Sequence, residues 1–359
     1  MPDSIKGSEK QFTIWAFSDP HVGTDISYGR SSLADAIAQS EGRDPQSPGF
    51  HWDMAVDLGD DSGSQVLPND DEGRLWVEQI GELRDHDREQ VYNVIGNHDA
   101  TNADADDTYD TQWWHRKWID PAGESIVTSG VDDSKRPYAI DGNWEHYSFQ
   151  VGNLKFLMMA DRNDYPPPVG RGDVGGYPAG SISLETFDWL TQQLQDSQGQ
   201  IAISGHHHMV KNTTVGSGDW EGVDHGYHGR FEFGAPIGAS YVHFVGDEPD
   251  TGKIESLLDD NLGALDMWLG AHTHTFPDDV LTGRSHIEQA WGGTTFMNVA
   301  ALSKYHGRRN IPMSRVITLT HGSNLAKIRC YMHTSDYRPQ GWYEKAEREI
   351  TLSNPFEAS

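Results

Sequence analysis

Short apolar runs alternate with amphipathic segments through the first two thirds of the chain. Four runs of strand length each end in a cluster of Gly, Asp or His, as is typical of buried strands that lead into turns: 11–17, 53–58, 91–95 and 201–204. Between them lie three segments with helical features, the first of which begins with a serine suited to an N-cap: 31–39, 72–84 and 183–195. This alternation predicts an α/β protein in which helices cover a sheet.

After about residue 285 the pattern changes to strands that follow one another directly. The runs 297–301, 314–320 and 325–332 are separated by turns that contain Gly or Asn, and the last two read as a hairpin. A second hairpin is predicted for 147–151 with 154–159. No linker composition interrupts the chain, so we expect one domain over residues 1–359, with a C-terminal extension after about 333.

Composition supports a folded, acidic protein. The chain has 359 residues, of which 55 are acidic and 27 basic, and its net charge is −28. An aromatic content of 10% excludes a disordered acidic chain, since such chains are poor in aromatic residues. The negative field of the molecule repels polyanions, so nucleic acid is disfavoured as a partner. The sequence makes no prediction of oligomeric state.

The cysteine content and the lengths of the apolar runs bear on disulfide bonds, membrane helices and export. The single cysteine, Cys330, excludes an internal disulfide framework and a cysteine-based zinc site, and we expect it to be buried in a strand. No apolar run has the roughly 18 residues of a membrane helix, and residues 1–10 lack the apolar stretch of an export signal. We therefore expect a cytoplasmic protein with no membrane partner; a mature exported protein, whose signal has been removed, is the alternative.

Metal-ligating residue types follow the predicted strands. Each group comes directly after an apolar run, and the carboxyl ends of strands in an open α/β sheet line the ligand crevice. The groups are Asp19 with His21, Asp60 after Gly59, Asn97-His98-Asp99 after Gly96, His206-His207-His208 after Gly205, and His272 with His274. Convergence of these side chains at one edge of a sheet would create a site rich in nitrogen and oxygen donors.

The mixture of carboxylates, imidazoles and an Asn carbonyl indicates particular metals. It suits Mn, Fe, Zn or Co and contains more histidine than a dedicated Mg or Ca site. Seven ligands exceed the needs of one tetrahedral ion. Two ions that share a carboxylate, roughly 3.5–4 Å apart, are the economical arrangement, and such pairs clamp the attacking and leaving oxygens of a phosphoryl displacement.

The order D-x-H, G-D, G-N-H-D, H and x-H-x-H resembles the calcineurin-like metallophosphoesterase family, and the resemblance extends over residues 11–332. It implies an α/β four-layer α-β-β-α sandwich with two mixed β-sheets. The activity it implies is dinuclear-metal-dependent hydrolysis of a phosphoric ester, by in-line attack of a hydroxide that bridges the two metal ions.

The resemblance also implies a role for each residue of the motifs. One ion would be held by Asp19, His21, Asp60 and His274, while Asp60 bridges to a second ion that Asn97, His206 and His272 complete. His206 is preferred to His207 as the ligand because the family ligand usually comes first after the strand and a Gly. His207 is then a candidate substrate contact. His98 would bind the phosphate or protonate the leaving oxygen, with its pKa tuned by Asp99 or Asp61, between which the sequence does not choose.

The substrate class follows from charge. No obvious Arg/Lys cluster is present to neutralise a dianionic phosphate, so the sequence favours a small-molecule phosphodiester substrate over a monoester. A phosphomonoesterase such as a nucleotidase is the alternative, and a nuclease would need a local basic groove. A non-catalytic scaffold would have lost ligands, and none is missing from the motifs.

Two further segments carry expectations. The loop at 211–251 connects the last two motif groups, and we expect it to shape substrate choice. Trp113, Trp114 and Trp118 have the spacing of a helix that packs on the sheet, which is preferred to an aromatic wall beside the metals.

Overall fold

The computed structural model describes residues 10–63, 67–99, 112–162, 180–218, 230–232, 235–237, 241–244, 252–304 and 310–358. Within these ranges the chain forms two seven-stranded sheets. The first sheet has the order β17-β16-β15-β1-β2-β3, and β18 pairs with β16 on the same edge as β17, at residues 325–328. Its strands are β1 (Gln11–Phe17), β2 (Met54–Asp57), β3 (Val91–Asn93), β15 (Met313–Thr320), β16 (Leu325–Met332), β17 (Gly341–Trp342) and β18 (Arg348–Thr351).

The second sheet has the order β13-β14-β12-β8-β6-β5-β4. Its strands are β4 (Asp141–Gly142), β5 (His146–Val151), β6 (Leu154–Met159), β8 (Ile201–Gly205), β12 (Met267–Gly270), β13 (Ile287–Gln289) and β14 (Thr295–Asn298). Two small two-stranded pairs complete the described strands: β7 (Ser181–Ile182) with β11 (His243–Phe244), and β9 (Arg230–Glu232) with β10 (Ala235–Ile237). Both large sheets contain parallel and antiparallel neighbours.

Alternate residues of the central strands face two different cores. In β1, Ile14 and Ala16 lie in the core between the two sheets, whereas Trp15 and Phe17 pack under the helices outside the first sheet. In β12, Leu269 faces the inner core and Trp268 the outer one. Because successive side chains of a strand point to opposite faces, a strand that is covered on both sides must be apolar throughout, as these runs are.

Helices cover the outer face of each sheet. Buried residues of α1, α2 and α3 share one core with the outer face of the first sheet, and those of α5 and α6 share another with the second. The structure thus has four layers in the order α-β-β-α, which confirms the predicted fold class. The helices are α1 (Ser32–Ser40), α2 (Asp70–Ile80), α3 (Trp113–Trp118), α4 (Ile126–Ser129), α5 (Leu184–Asp196) and α6 (Gly252–Asp260).

Three local predictions can be compared with the structure. Trp114 and Trp118 of α3 are buried in the outer core, so the tryptophan cluster belongs to a packing helix. Cys330 is buried in β16. Residues after 333 contribute β17 and β18 to the first sheet.

One prediction falls on an incompletely described segment. The role predicted for the loop at 211–251 falls largely outside the described residues. None of the helices described is long and apolar enough to cross a lipid bilayer.

Candidate metal centre

The loops that follow β1, β2 and β3 lie side by side because these strands are parallel neighbours. Glycine is required where two of them touch. A Cβ atom on Gly59 would lie 2.3 Å from the backbone nitrogen of Gly96, and one on Gly96 would lie 2.2 Å from the backbone nitrogen of Asp60. Such distances exclude any side chain, so the G-D and G-N-H-D motifs owe their glycines to this close approach.

Four of the candidate site residues have left-handed backbones, which are uncommon for residues other than glycine. Their φ angles are 52° for Asp19, 39° for His21, 58° for Asp60 and 62° for His272. Backbone hydrogen bonds hold two of these residues in place: Asp19 N–H donates to Gly59 O at 2.8 Å, and His21 N–H donates to Asp60 O at 3.2 Å. Strained backbones of this kind cluster at functional sites.

The first group of side chains consists of Asp19, His21 and His274, all buried. Asp19 Oδ1 lies 2.7 Å from His274 Nε2 and 3.5 Å from His21 Nε2. The other carboxylate oxygen of Asp19 accepts a 3.4 Å hydrogen bond from the backbone N–H of His272. The ends of β1 and β12, which belong to different sheets, therefore meet at this carboxylate.

The second group is centred on His207 and His272. The rings of these two residues lie 5.3 Å apart between centroids, and His208 lies 4.0 Å from His272. His207 Nδ1 lies 2.8 Å from Leu58 O, which fixes the ring with Nε2 towards Asp60. This contact across the two sheets orients the imidazole as second-layer carbonyls orient metal-bound histidines.

Asp60 lies between the two groups. Its Oδ2 atom is 3.0 Å from His207 Nε2 and 3.9 Å from His21 Nε2. Its Oδ1 atom accepts a 2.7 Å hydrogen bond from the backbone N–H of His98. One carboxylate thus faces a histidine of each group, which is the position of a bridging ligand.

Asn97 provides the test of whether these residues fit metal ions. Its side chain is fully buried, and neither the amide oxygen nor the amide nitrogen has a hydrogen-bond partner among the described residues. Buried polar atoms without partners are rare in folded proteins and need an explanation. A cation bound to the amide oxygen, within a donor set of carboxylates and imidazoles, explains this one, so the residues fit.

The buried carboxylates and imidazoles of the centre shift one another's pKa values. Burial disfavours the charged form of His207, but the carboxylates of Asp60 and Asp19 outweigh it and raise the pKa of His207 to about 10. The pKa of Asp19 is lowered well below its ordinary value, because His274 and His207 outweigh the opposing effect of burial. Both shifts show that the carboxylates of this centre favour positive charge beside them.

His206 occupies a different position from the one its sequence context predicts. Its backbone N–H still donates to Leu269 O at 3.1 Å, so the strand ladder continues for one residue beyond Gly205. Alternation then places His206 near Trp268 on the outer side, with ring centroids 6.1 Å apart, and turns His207 towards Asp60. Of the two histidines, His207 is the one whose ring faces Asp60, and the preference for His206 as the ligand stays a prediction.

Sequence reasoning missed Asp161. This buried residue follows β6, and its Oδ2 atom lies 3.1 Å from His208 Nδ1 while its Oδ1 atom accepts a 2.8 Å hydrogen bond from Ser181 N–H. Burial raises the pKa of Asp161 to about 7. The sequence contains the signal that could have identified Asp161, because this residue directly follows an apolar run, as the other candidate site residues do.

The two carboxylates considered as partners of His98 make other contacts. Asp99 accepts hydrogen bonds from the backbone N–H groups of Asp60, Gly96 and Ser62, each at 2.9 Å. Asp61 accepts one from Trp76 Nε1 at 2.5 Å. Asp99 thus joins the two metal-site loops, and tuning of His98 by either carboxylate stays a prediction. The His98 ring itself is buried, with its centroid 4.8 Å from that of His21.

Comparison with known proteins gives structural neighbours only. No protein-family model and no curated protein sequence matches the chain. The chain is similar to a purple acid phosphatase, PPD1, from yellow lupin (Lupinus luteus) seeds, with 12% identity and a TM-score of 0.49 over 98% of this chain and 55% of that one. It therefore spans about half the length of the lupin phosphatase.

Two other neighbours carry different descriptions. A Streptococcus pneumoniae protein described as a predicted phosphoesterase has 10% identity and a TM-score of 0.35, over 96% of this chain and 99% of that one. GAP50 of Plasmodium, described as the anchor in the inner membrane complex, has 10% identity and a TM-score of 0.48, over 96% of this chain and 90% of that one. At these values the likenesses do not define an activity. The two-sheet topology itself agrees with the calcineurin-like fold that the motifs imply.

Proposed function

We propose that this protein is a dinuclear-metal-dependent phosphoric ester hydrolase that acts on a small phosphodiester. The observation that carries the proposal is the position of Asp60, whose Oδ2 atom faces His21 of one ligand group and His207 of the other. A single ion would not need two groups joined by one carboxylate. Two ions would, and paired ions are suited to phosphoryl displacement.

In this proposal the ligands divide into two sets around Asp60. Asp19, His21 and His274 would hold one ion with Asp60, and Asn97, His207 and His272 would hold the other with Asp60. His207 replaces the sequence-based choice of His206. Two such ions, when bound, polarise the phosphoryl oxygens and lower the pKa of the attacking water.

The protein's own groups position the substrate and handle the proton. The hydrogen bond from His98 N–H to Asp60 Oδ1 ties the His98 loop to the bridging carboxylate, and its ring lies beside His21. From this place His98 contacts a phosphoryl oxygen or gives a proton to the leaving oxygen, as a histidine within reach of the leaving group can do.

The preference for a diester rests on charge. In the described residues, the ion-pair partners of Asp19 and Asp60 are all histidines. A phosphodiester carries one negative charge, whereas a monoester carries close to two near neutral pH. A centre without a lysine or arginine at these carboxylates therefore suits the less charged substrate. The −28 net charge likewise favours a small molecule over nucleic acid.

The test compares a p-nitrophenyl phosphodiester with the corresponding monoester, on protein reconstituted with Mn²⁺ and on the same protein after chelation. We expect kcat/KM to be at least about tenfold higher for the diester, a difference of about 1.4 kcal/mol in transition-state stabilisation. Chelation should abolish both activities. A ratio below one would replace the diesterase with a phosphomonoesterase, and no turnover by protein that holds two ions would refute hydrolysis altogether.

A further inference from the structure

A cavity of about 220 Å³, separate from the metal centre, lies between the two sheets near the edge strand β13. We call it the Arg315 cavity. None of the proposed metal ligands lines it. Its walls come from the segment 277–280, which follows His274, from 285–287, from β15 and from the turn at 345–348.

The floor of the cavity holds a buried cation. Arg315 lies in β15 on the same face as Ile317 and Leu319, which belong to the core between the sheets, and its relative exposure is 0%. Its Nη1 atom donates to Ala346 O at 3.4 Å. Its Nε and Nη2 atoms have no hydrogen-bond partner among the described residues, and no described carboxylate is within ion-pair distance of the guanidinium. An unpaired buried charge is costly, so a partner is expected.

Two more cationic side chains lie at the opening of the Arg315 cavity. Lys345 and Arg348 line the cavity and are exposed, so the cavity opens to solvent on their side. Arg348 Nη1 donates to the backbone carbonyls of Lys345 and Glu347, at 3.2 and 2.8 Å. Among the described residues neither cation forms an ion pair, although acidic residues outnumber basic ones by two to one. Elsewhere in the described chain, arginines such as Arg30 and Arg43 do pair with carboxylates.

The carboxylates that line the cavity accept hydrogen bonds from neighbouring groups of the protein. Asp278 accepts hydrogen bonds from the hydroxyls of Tyr337 at 2.6 Å and Tyr343 at 3.0 Å. Asp279 accepts one from the backbone N–H of Phe276 at 2.8 Å. His286, whose Nε2 lies 2.5 Å from Thr275 Oγ1, is kept neutral because burial and the charge of Arg315 lower its pKa. The cavity therefore combines three unpaired cations with anchored acids.

We propose that the Arg315 cavity binds a small oxyanion, the phosphate or carboxylate group of a small molecule. Nε and Nη2 are neighbouring donors of the planar guanidinium, and such a pair binds two oxygens of one anion in a bidentate manner. Both atoms are buried beneath the cavity wall, so the proposal includes a small shift of the Arg315 side chain towards the bound anion. Lys345 and Arg348 attract the anion and pair with its outer oxygens. The volume is below the roughly 300–1,000 Å³ of pockets for drug-sized ligands, so the occupant has few atoms.

The experiment titrates the metal-loaded full chain with inorganic phosphate and, separately, with malonate, using calorimetry. Lys345→Gln/Arg348→Gln changes only exposed side chains and should fold normally. Arg315→Met replaces the buried cation with an apolar chain of similar length. Arg329→Met is the matched control, because Arg329 lies on the neighbouring strand β16 and pairs with Glu347.

We expect a binding event that Arg315→Met weakens by at least about tenfold, as loss of one charged hydrogen bond predicts. The double variant should weaken it severalfold, and Arg329→Met should leave it unchanged. Turnover and metal content should match wild type in all three variants, which separates this site from the metal centre. Whichever probe shows the event identifies the oxyanion as phosphate or carboxylate. If neither probe shows an event that the double variant or Arg315→Met weakens, the proposal is wrong, whether or not the phosphodiesterase test succeeds.

Discussion

Asp60→Asn is the sharpest test of the metal centre, because it changes one charge and keeps the shape of the side chain. The amide oxygen can still accept the 2.7 Å hydrogen bond from His98 N–H, so the loop should keep its position. What disappears is the negative charge between His21 and His207. At an effective dielectric constant of about 20, a unit charge about 4 Å from another is worth about 4 kcal/mol. That corresponds to about three orders of magnitude in the affinity for a nearby cation.

The consequence is measurable in two ways. Metal analysis after dialysis against micromolar Mn²⁺ should find fewer than two ions per chain in the variant, and turnover of the aryl phosphodiester should fall by about 10³ or more. Asp188→Asn is the control, since Asp188 is exposed on α5 and the chemical change is the same. Circular dichroism should show equal secondary structure in both. An Asp60→Asn protein that keeps two ions and turns over within about tenfold of wild type would refute the bridging position.

Three further predictions follow from individual contacts. His207→Gln should lose metal and reduce turnover by more than the roughly 10–100-fold that is typical of residues that only orient ligands. His206→Gln should keep both ions. If metal analysis instead finds that His206→Gln loses an ion and His207→Gln keeps both, the sequence-based choice of His206 is restored. Asp99→Asn replaces one of the two carboxylate oxygens that accept three backbone N–H groups with an amide nitrogen that cannot accept, and should lower the free energy of unfolding by about 2–3 kcal/mol in urea titrations. An unchanged midpoint would contradict a role for Asp99 in joining the two loops. Glu41 gives a pH prediction: burial acts to raise its pKa, but hydrogen bonds from His86, Asp85 and Arg84 outweigh burial and lower it. Because the pKa of Glu41 is lower in the folded state, its ionised form stabilises the protein at pH values above the unfolded pKa of about 4.3, and this stability is lost as the pH falls through the folded pKa. Glu41→Gln should therefore be less stable than wild type at pH 7 and should lose less stability than wild type below about pH 4. Melting temperatures of the two proteins that fall in parallel with pH would contradict this prediction.

Strand prediction succeeded where burial on both faces leaves an uninterrupted apolar run. The predicted bounds of β1 and β16 coincide with the observed strands. The helix predicted at 72–84 instead spans Asp70–Ile80, because Asn69 and Glu72 form a capping box that starts it earlier and Gly81 ends it. The N-x-x-E pattern of that box was legible in the sequence but was not used.

Candidate site residues could be predicted from the strand ends, whereas the phase and the neighbours of a strand could not be read from the sequence. Asp19, His21, Asp60 and His274 were predicted to share a site, and the structure places them together. The choice between His206 and His207 depends on how far the ladder of β8 continues, which the apolar pattern does not show. Arg315 in a strand gave no signal, because its isolation from carboxylates exists only once two sheets are stacked.

The left-handed backbones of the site loops are held in place in part by the hydrogen bonds that Asp99 accepts. Left-handed backbones at Asp19, His21, Asp60 and His272 each cost on the order of 1–3 kcal/mol, and they persist only where surrounding contacts determine them fully. The backbone hydrogen bonds to Asp99 and the glycine contact between Gly59 and Gly96 supply such contacts on one side of the centre. The donor atoms are consequently brought together by folding rather than by the metal, so metal-free protein should keep the loop geometry, and loss of Asp99 should impair metal binding although Asp99 need not be a ligand.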